Sequence, residues 1–127
     1  MSNEIQFEHV TPEELSAWME EQKSFFLIHT LTGIHFQKAH LPGAQNACVF
    51  EVAFLDQMKS ITSDKNAEIV LYGSSERSMD ALTAAEKLKL DGYQRIMILK
   101  GGIESWRALG YPLEGESADN VPDPEVR

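Results

Sequence analysis

The sequence predicts a single α/β domain in which helices cover both faces of a parallel sheet. Its short apolar runs do not alternate with polar residues, which is typical of strands that are buried on both faces. Segments with helical spacing separate these runs along the chain, as connections between parallel strands require. The length of 127 residues, with 43% hydrophobic and 24% charged residues, suits one soluble globular domain.

The first half of the chain opens with a well-marked helix start. Thr11 can cap the helix, Pro12 suits its first turn, and Glu14 stands where a capping box has its carboxylate. The apolar residues that then share one helical face are Leu15, Trp18 and Met19. The other elements predicted in this half are two short strands, a helix and a polar loop, at 25–31, 44–49, 51–58 and 62–66.

The second half of the chain alternates strands and helices more clearly. The predicted elements are, in order, a strand, a loop, a helix, a strand and a helix, at 69–72, 73–78, 79–91, 96–99 and 103–109. Gly92 and Gly110 are placed to end the two helices. The sequence shows no internal repeat.

The predicted domain spans residues 10–114, after an N-terminal segment at 1–9 and before an acidic, flexible tail at 115–127. The longest apolar runs have four residues, whereas a membrane helix needs about 20. The first residues also lack the basic and apolar stretches of a secretory signal. We therefore expect a cytoplasmic protein that does not contact a membrane.

Charge and cysteine content exclude several kinds of function. The chain has 11 basic and 20 acidic residues and a net charge of −9, so most of its surface would repel a nucleic acid. A small anion in a local positive pocket remains compatible with that charge. Cys48 is the only cysteine, so neither an intrachain disulfide nor a Cys-rich zinc site is expected. We expect no cofactor.

The loop after Tyr72 is the most informative candidate site. Ligands of parallel sheets bind beyond the carboxyl ends of the strands, which points to this loop, to the loop after Leu31 and to the turn at 100–102. The loop consists of Gly73, Ser74, Ser75, Glu76, Arg77 and Ser78. It enters a helix, whose first N–H groups attract anions, and Arg77 can bind an oxyanion. The alternative is an ordinary helix cap with Arg77 paired to Glu76 or Asp80.

Three motifs resemble those of one family and follow that family's order over about residues 10–114. They are His40-Leu41-Pro42-Gly43-Ala44, then Ala84-Ala85-Glu86-Lys87-Leu88 with Gly92-Tyr93, then Leu99-Lys100-Gly101-Gly102-Ile103-Glu104-Ser105-Trp106 with Gly110-Tyr111-Pro112. Together they resemble the rhodanese-like domains. The resemblance implies a five-stranded parallel sheet between helices. In active members it also implies transfer of sulfane sulfur, which a loop cysteine carries as a persulfide.

The sequence departs from the active members at the residue that carries the chemistry. The position of their loop cysteine, directly after the strand that ends in Tyr, looks to be Gly73. Glycine has no nucleophilic side chain, and the hydroxyl groups of Ser74 and Ser75 cannot form a persulfide. The twelve residues from Tyr72 to Ala84 match a longer loop subclass, whose second cysteine would fall at Ser78. The family's Asp-x-Arg is likewise replaced, by His29-Thr30-Leu31.

Cys48 and three histidines are the remaining candidates for chemistry. Cys48 follows the second predicted strand, at the same sheet edge as the Gly73 loop, so it could act as a displaced sulfur carrier or redox thiol. The alternative is a buried packing thiol between Ala47 and Val49. His29, His35 and His40 lack the spacing of a helical ligand pair, and His40 belongs to the family turn. We therefore expect no metal site.

Three functions remain open at this point. The first is a non-catalytic module that binds a small oxyanion, a sulfur compound or a protein partner through the 73–78 loop. The second is a sulfur-transfer or thiol-redox enzyme that uses Cys48. The third is a regulatory interaction domain with a vestigial pocket, in which the acidic surface or tail makes the contact. Anion titration separates the first from the third, and thiol reactivity separates the second from both.

Overall fold

Five strands and five helices alternate along the chain, in a computed structural model that describes residues 7–75 and 79–116. They are β1 (Glu8–Val10), α1 (Pro12–Glu20), β2 (Phe26–His29), α2 (Gly33–Lys38), β3 (Gln45–Asn46), α3 (Phe54–Ile61), β4 (Glu68–Tyr72), α4 (Asp80–Leu90), β5 (Arg95–Leu99) and α5 (Gly102–Ala108). The predictions for Glu76, Arg77, Ser78 and the tail at 117–127 lie outside the described residues.

The strands form one parallel sheet in the order β1-β5-β4-β2-β3. Leu71 in the central strand β4 lies opposite Ile28 of β2 and Ile98 of β5. Because every strand runs the same way, the loops that follow the strands meet at one edge of the sheet. The predicted α/β domain with a five-stranded parallel sheet is therefore confirmed.

Each face of the sheet carries its own apolar core. On the first face α3 and α4 cover the sheet, and their fully buried residues include Met58, Ala84 and Leu88. On the second face α1 and α5 contribute Leu15 and Trp106 to the other cluster. Complete burial of one such large side chain stabilises the fold by roughly 1.5–3 kcal/mol. The strands that carry the loops are therefore held between two packed cores.

The capping box predicted at the start of α1 is present. Thr11 Oγ1 accepts a hydrogen bond from Glu14 N at 3.1 Å, and Thr11 N donates to Glu14 Oε1 at 3.0 Å.

The end of the chain that the structure describes is fixed near the His40 turn. Backbone hydrogen bonds join His40 and Glu114 in both directions at 2.8 Å. Trp106 Nε1 also donates to the Pro112 carbonyl at 2.7 Å.

Two elements, β1 and α2, form where the sequence pattern predicts neither. β1 has only three residues, of which Val10 alone is buried, so no periodicity marks it. α2 has six residues and is started by Thr32 Oγ1, which accepts from His35 N. Both elements are too short to bury a recognisable apolar stripe. Pairing with β5 and packing of Phe36 on the second core stabilise them instead.

The predicted strand at 44–49 and helix at 51–58 are shifted in the structure. β3 keeps only two residues, although Ala47 N and Val49 N still donate to the carbonyls of His29 and Thr30. Residues 51–53 form turns, so α3 begins at Phe54. The predicted start at residue 51 is therefore wrong.

Within the part of the chain that the structure describes, no helix is long and apolar enough to cross a membrane.

Candidate functional site

The carboxyl ends of β4 and β5 bring the Gly73 loop against the start of α5. The carbonyl of Gly73 accepts from Ile103 N at 3.0 Å, and the carbonyl of Ser74 accepts from Glu104 N at 3.0 Å. These bonds satisfy two of the donors that a helix start otherwise leaves unpaired. The loop is therefore fixed to α5, and the start of α5 has lost two of its donors for an anion.

Gly102 permits this close approach of two backbones. A Cβ atom at this position would lie 2.6 Å from the Gly73 carbonyl oxygen and 2.8 Å from both Ser74 C and Ser75 N. Its φ of +63° also lies in the left-handed region, which favours glycine. A residue without a side chain is therefore needed where the loop meets α5.

The same contacts direct two backbone donors away from α5. A trans peptide unit places its N–H opposite its carbonyl. Because the Gly73 and Ser74 carbonyls point at α5, the N–H groups of Ser74 and Ser75 point to the other side. Neither N–H has a hydrogen-bond acceptor within the described residues. Ser74 is exposed and Ser75 is half-buried, so this part of the loop lies at the surface.

Gly73 presents no chemistry of its own. It is buried directly beyond Tyr72, at the position where the family resemblance implies a cysteine in active members. The three remaining predicted site residues, Glu76, Arg77 and Ser78, lie outside the described residues, so the structure brings together only Gly73, Ser74 and Ser75 of the predicted loop. These three offer backbone donors and two hydroxyl groups.

Tyr72 and Thr30 fix the base of the loop, a role that the sequence pattern does not predict. The Tyr72 carbonyl accepts from Thr30 N at 3.1 Å and from Thr30 Oγ1 at 3.0 Å. The Tyr72 hydroxyl lies at the His40 turn, where it accepts from Leu41 N at 3.0 Å. Burial raises the pKa of this hydroxyl, which therefore stays protonated. One tyrosine thus connects the loop to the family turn.

Replacing Tyr72 with phenylalanine is expected to lower the free energy of unfolding by roughly 1–3 kcal/mol, because the buried Leu41 N–H would lose its acceptor. Tyr111→Phe is the matched control, since the Tyr111 hydroxyl has no hydrogen bond within the described residues. Urea unfolding of both variants measures the difference. Equal stability of the two variants would contradict the role of the Tyr72 hydroxyl.

His29 closes β2 as a buried, neutral side chain. Its Nδ1 accepts from Leu31 N at 3.3 Å, which places the ring proton on Nε2. The ring lies edge-on to Phe36 and Tyr72, with centroid distances of 5.4 and 5.2 Å. Burial first, then repulsion from His40 and His35, lowers the pKa of His29 to about 4. His29 is therefore a polar residue at the end of a strand, as the sequence predicts. Its burial could not be predicted from the sequence.

His35 and His40 already use ring nitrogens in local contacts. His35 Nδ1 lies 2.7 Å from Thr32 Oγ1, and His40 Nδ1 lies 2.7 Å from the Phe36 carbonyl. His40 Nε2 lies 3.7 Å from a Glu114 carboxylate oxygen. Among residues 7–75 and 79–116, no three histidine, cysteine or acidic side chains are grouped to hold a metal ion.

Cys48 is buried beyond β3, with 2% of its surface exposed. Its backbone N–H donates to Gln57 Oε1 at 3.0 Å, and its carbonyl accepts from Glu51 N at 3.2 Å. A sulfur carrier must meet both its donor and its acceptor, so this thiol could act only after local opening. The position fits the packing interpretation better than the displaced-carrier interpretation, and thiol reactivity remains to be measured.

A sequence model of the rhodanese-like domain matches residues 11–109. The chain therefore belongs to the rhodanese-like domain family, as its three motifs predict. No curated protein matches the chain. The match runs from the start of α1 to the end of α5, so it includes strands β2 to β5 and the Gly73 loop and leaves out β1.

Solved structures agree with this fold. A protein of Bacillus halodurans superposes with a TM-score of 0.79 and 20% identity, over 91% of this chain and 82% of that chain. A rhodanese-like domain from Anabaena sp. gives a TM-score of 0.76 and 20% identity, over 96% and 89%. A thiosulfate sulfurtransferase from Pseudomonas aeruginosa gives 0.68 and 16%, over 86% of this chain and 20% of that chain. At these identities the likeness concerns the fold alone.

Proposed function

We propose that this rhodanese-like domain is a non-catalytic module that binds a small oxyanion or sulfur oxyanion at the Gly73–Ser78 loop. The observation that carries the proposal is the loop itself. Glycine stands at the position that the resemblance assigns to the family's sulfur carrier, and the backbone N–H groups of Ser74 and Ser75 have no acceptor among the described residues. A fold of this kind supplies a scaffold, whereas activity depends on the residues of the site.

The absence of a loop thiolate supports the non-catalytic part of the proposal. Sulfane sulfur transfer requires a thiolate that forms and then releases a persulfide. Gly73 has no side chain, and a serine hydroxyl forms no persulfide. The only thiol in the sequence, Cys48, is buried and packed beyond β3. A protein partner that presents an anionic group is compatible with the same loop.

The backbone geometry supports the anion-binding part of the proposal. An unpaired N–H group gains about 1.5–3 kcal/mol from a hydrogen bond to a charged acceptor. Two such groups, at Ser74 and Ser75, belong to consecutive peptide units that α5 holds in place. With a net charge of −9, the surface as a whole disfavours anions. We therefore expect affinity in the millimolar range, with binding confined to the loop.

An NMR titration of the full chain tests the proposal. Thiosulfate, sulfate and phosphate are added separately, with sodium chloride at equal ionic strength as the control. The amide signals of Ser74 and Ser75 are expected to shift to saturation with an oxyanion and not with chloride. Ser75→Ala keeps both N–H groups and is expected to bind almost as well. Loop amides that respond equally to chloride would contradict the proposal.

A further inference from the structure

A pocket lies on the face of the sheet that α3 and α4 cover, and Gly73 and Ser75 of the loop form part of its lining. It arises because these two helices cover five strands, so the sheet next to edge strand β1 is left open. Val10 points to the opposite core, and alternation along the strand turns His9 towards this pocket. The pocket has a volume of about 430 Å³, which lies within the range of small-molecule sites.

The body of the pocket is apolar. Ile98 of β5 forms its base, and Ala81 and Leu82 of α4 form one wall. Leu99 contributes only backbone, because its side chain lies in the core on the opposite face. Met79 stands at the rim with 61% of its surface exposed. An exposed methionine beside buried aliphatic residues offers an adaptable contact for an apolar chain. The lining therefore fits a hydrocarbon or aromatic group.

The polar side chains in the lining include two basic groups. Lys100, which directly follows β5, and His9 of β1 both line the pocket. Both side chains are exposed, and neither has a carboxylate partner within the described residues. The chain as a whole is acidic, with 20 acidic residues and 11 Lys and Arg residues. At this pocket, however, the charged or titratable side chains among the described residues are one lysine and one histidine, and none is a carboxylate. This arrangement is complementary to a ligand with one apolar part and one negative charge.

We propose that this pocket binds a small amphipathic anion, namely a short hydrocarbon or aromatic group with a terminal carboxylate or sulfonate. The apolar group lies between α4 and β5, and the anionic head lies at Lys100, with His9 as a second donor. This site goes beyond the proposed function, because its specificity comes from side chains on β1, α4 and β5. The loop donors at Ser74 and Ser75 are not needed for it.

The test uses 8-anilinonaphthalene-1-sulfonate as a fluorescent probe of the full chain, with octanoate as a competitor. Probe fluorescence is expected to rise on binding, because the aromatic group leaves water. Octanoate is expected to displace the probe at least about tenfold more effectively than neutral octanamide, which corresponds to one charge contact of about 1.4 kcal/mol. Inorganic sulfate is expected not to displace it beyond its effect on ionic strength.

Matched variants locate the binding site. Met79→Glu is expected to weaken probe binding at least about tenfold, whereas Leu90→Glu, at an apolar residue that is 84% exposed in another groove, is expected to leave it unchanged. Lys100→Ala should weaken octanoate binding several-fold, and Lys59→Ala on α3 should not. Thermal unfolding verifies that each variant is folded. No fluorescence rise, an equal loss with Leu90→Glu, or equal displacement by octanamide would overturn the proposal.

Discussion

Gly102→Ala is expected to destabilise the protein by about 2–5 kcal/mol, whereas Gly110→Ala should cost only about 1–2 kcal/mol. Both glycines have positive φ, +63° and +81°, so alanine is strained at each. At Gly110 an added Cβ would meet nothing within 4 Å, but at Gly102 it would lie within 2.8 Å of the Gly73 loop backbone. The difference between the two variants therefore isolates the close approach between the loop and α5.

The Gly102 variant should also change the site. The added Cβ must push residues 73–75 away from α5, which breaks the bonds from Ile103 N and Glu104 N to the loop carbonyls. The N–H groups of Ser74 and Ser75 would then lose their fixed direction, so oxyanion affinity should fall together with stability. Urea unfolding and the NMR titration measure the two effects. A folded Gly102→Ala protein with unchanged loop shifts and affinity would contradict this description of the loop.

His29 should make the protein sensitive to mild acid. Its pKa is about 4 in the folded state and about 6.5 in the unfolded chain. Between these values the unfolded chain binds a proton that the folded protein excludes. The stability that His29 contributes is therefore complete above pH 6.5 and is lost as the pH falls. The loss amounts to about 2 kcal/mol at pH 5 and about 3 kcal/mol at pH 4, where it levels off.

The variant His29→Asn tests this prediction, because asparagine does not titrate and can still accept from Leu31 N. Urea unfolding of both proteins from pH 7.5 to pH 4 gives the difference in free energy. His35 and His40 are present in both proteins, as are all the carboxylates, so their titrations largely cancel. The wild type should lose stability relative to the variant as the pH falls. Parallel curves would show that His29 is not kept neutral by burial.

Most of the sheet could be predicted from the sequence because its strands are buried on both faces. The strands predicted at 69–72 and 96–99 correspond to β4 and β5, each of which begins one residue earlier than predicted. β1 and α2 could not be predicted, since each has too few residues for a periodic pattern and depends on tertiary contacts. The helix predicted from residue 51 begins three residues later, because turns at Glu51 and Phe54 replace its first turn.

The candidate site could be predicted only in part. The topology of parallel strands points to the loop after Tyr72, and the family resemblance implies that Gly73 stands where active members have their nucleophile. The direction of the Ser74 and Ser75 donors could not be predicted, because it depends on how Gly102 lets α5 approach the loop. The pocket between α4 and β1 also leaves no pattern in the sequence, since its residues come from distant segments.

The fold and the chemistry of this protein are separable. The family motifs specify turns, helix packing and the Trp106 contact, all of which depend on shape and burial. Sulfur transfer instead depends on one thiolate in the loop, and under the proposed function glycine replaces it at position 73 without disturbing the scaffold. The same backbone donors that would stabilise a bound sulfur anion remain available for binding. The proposed function therefore requires a change of chemistry at the loop and no change of fold.

The most direct test of the account is the intact mass of the reduced protein after incubation with thiosulfate and, separately, with a persulfide donor. The measurement is made under non-reducing conditions beside a Cys48→Ser variant, and an active rhodanese verifies the donors. The account predicts that neither protein gains the mass of a sulfur atom. A gain of one sulfur by the wild type that Cys48→Ser lacks would contradict it, because Cys48 would then be a sulfur carrier.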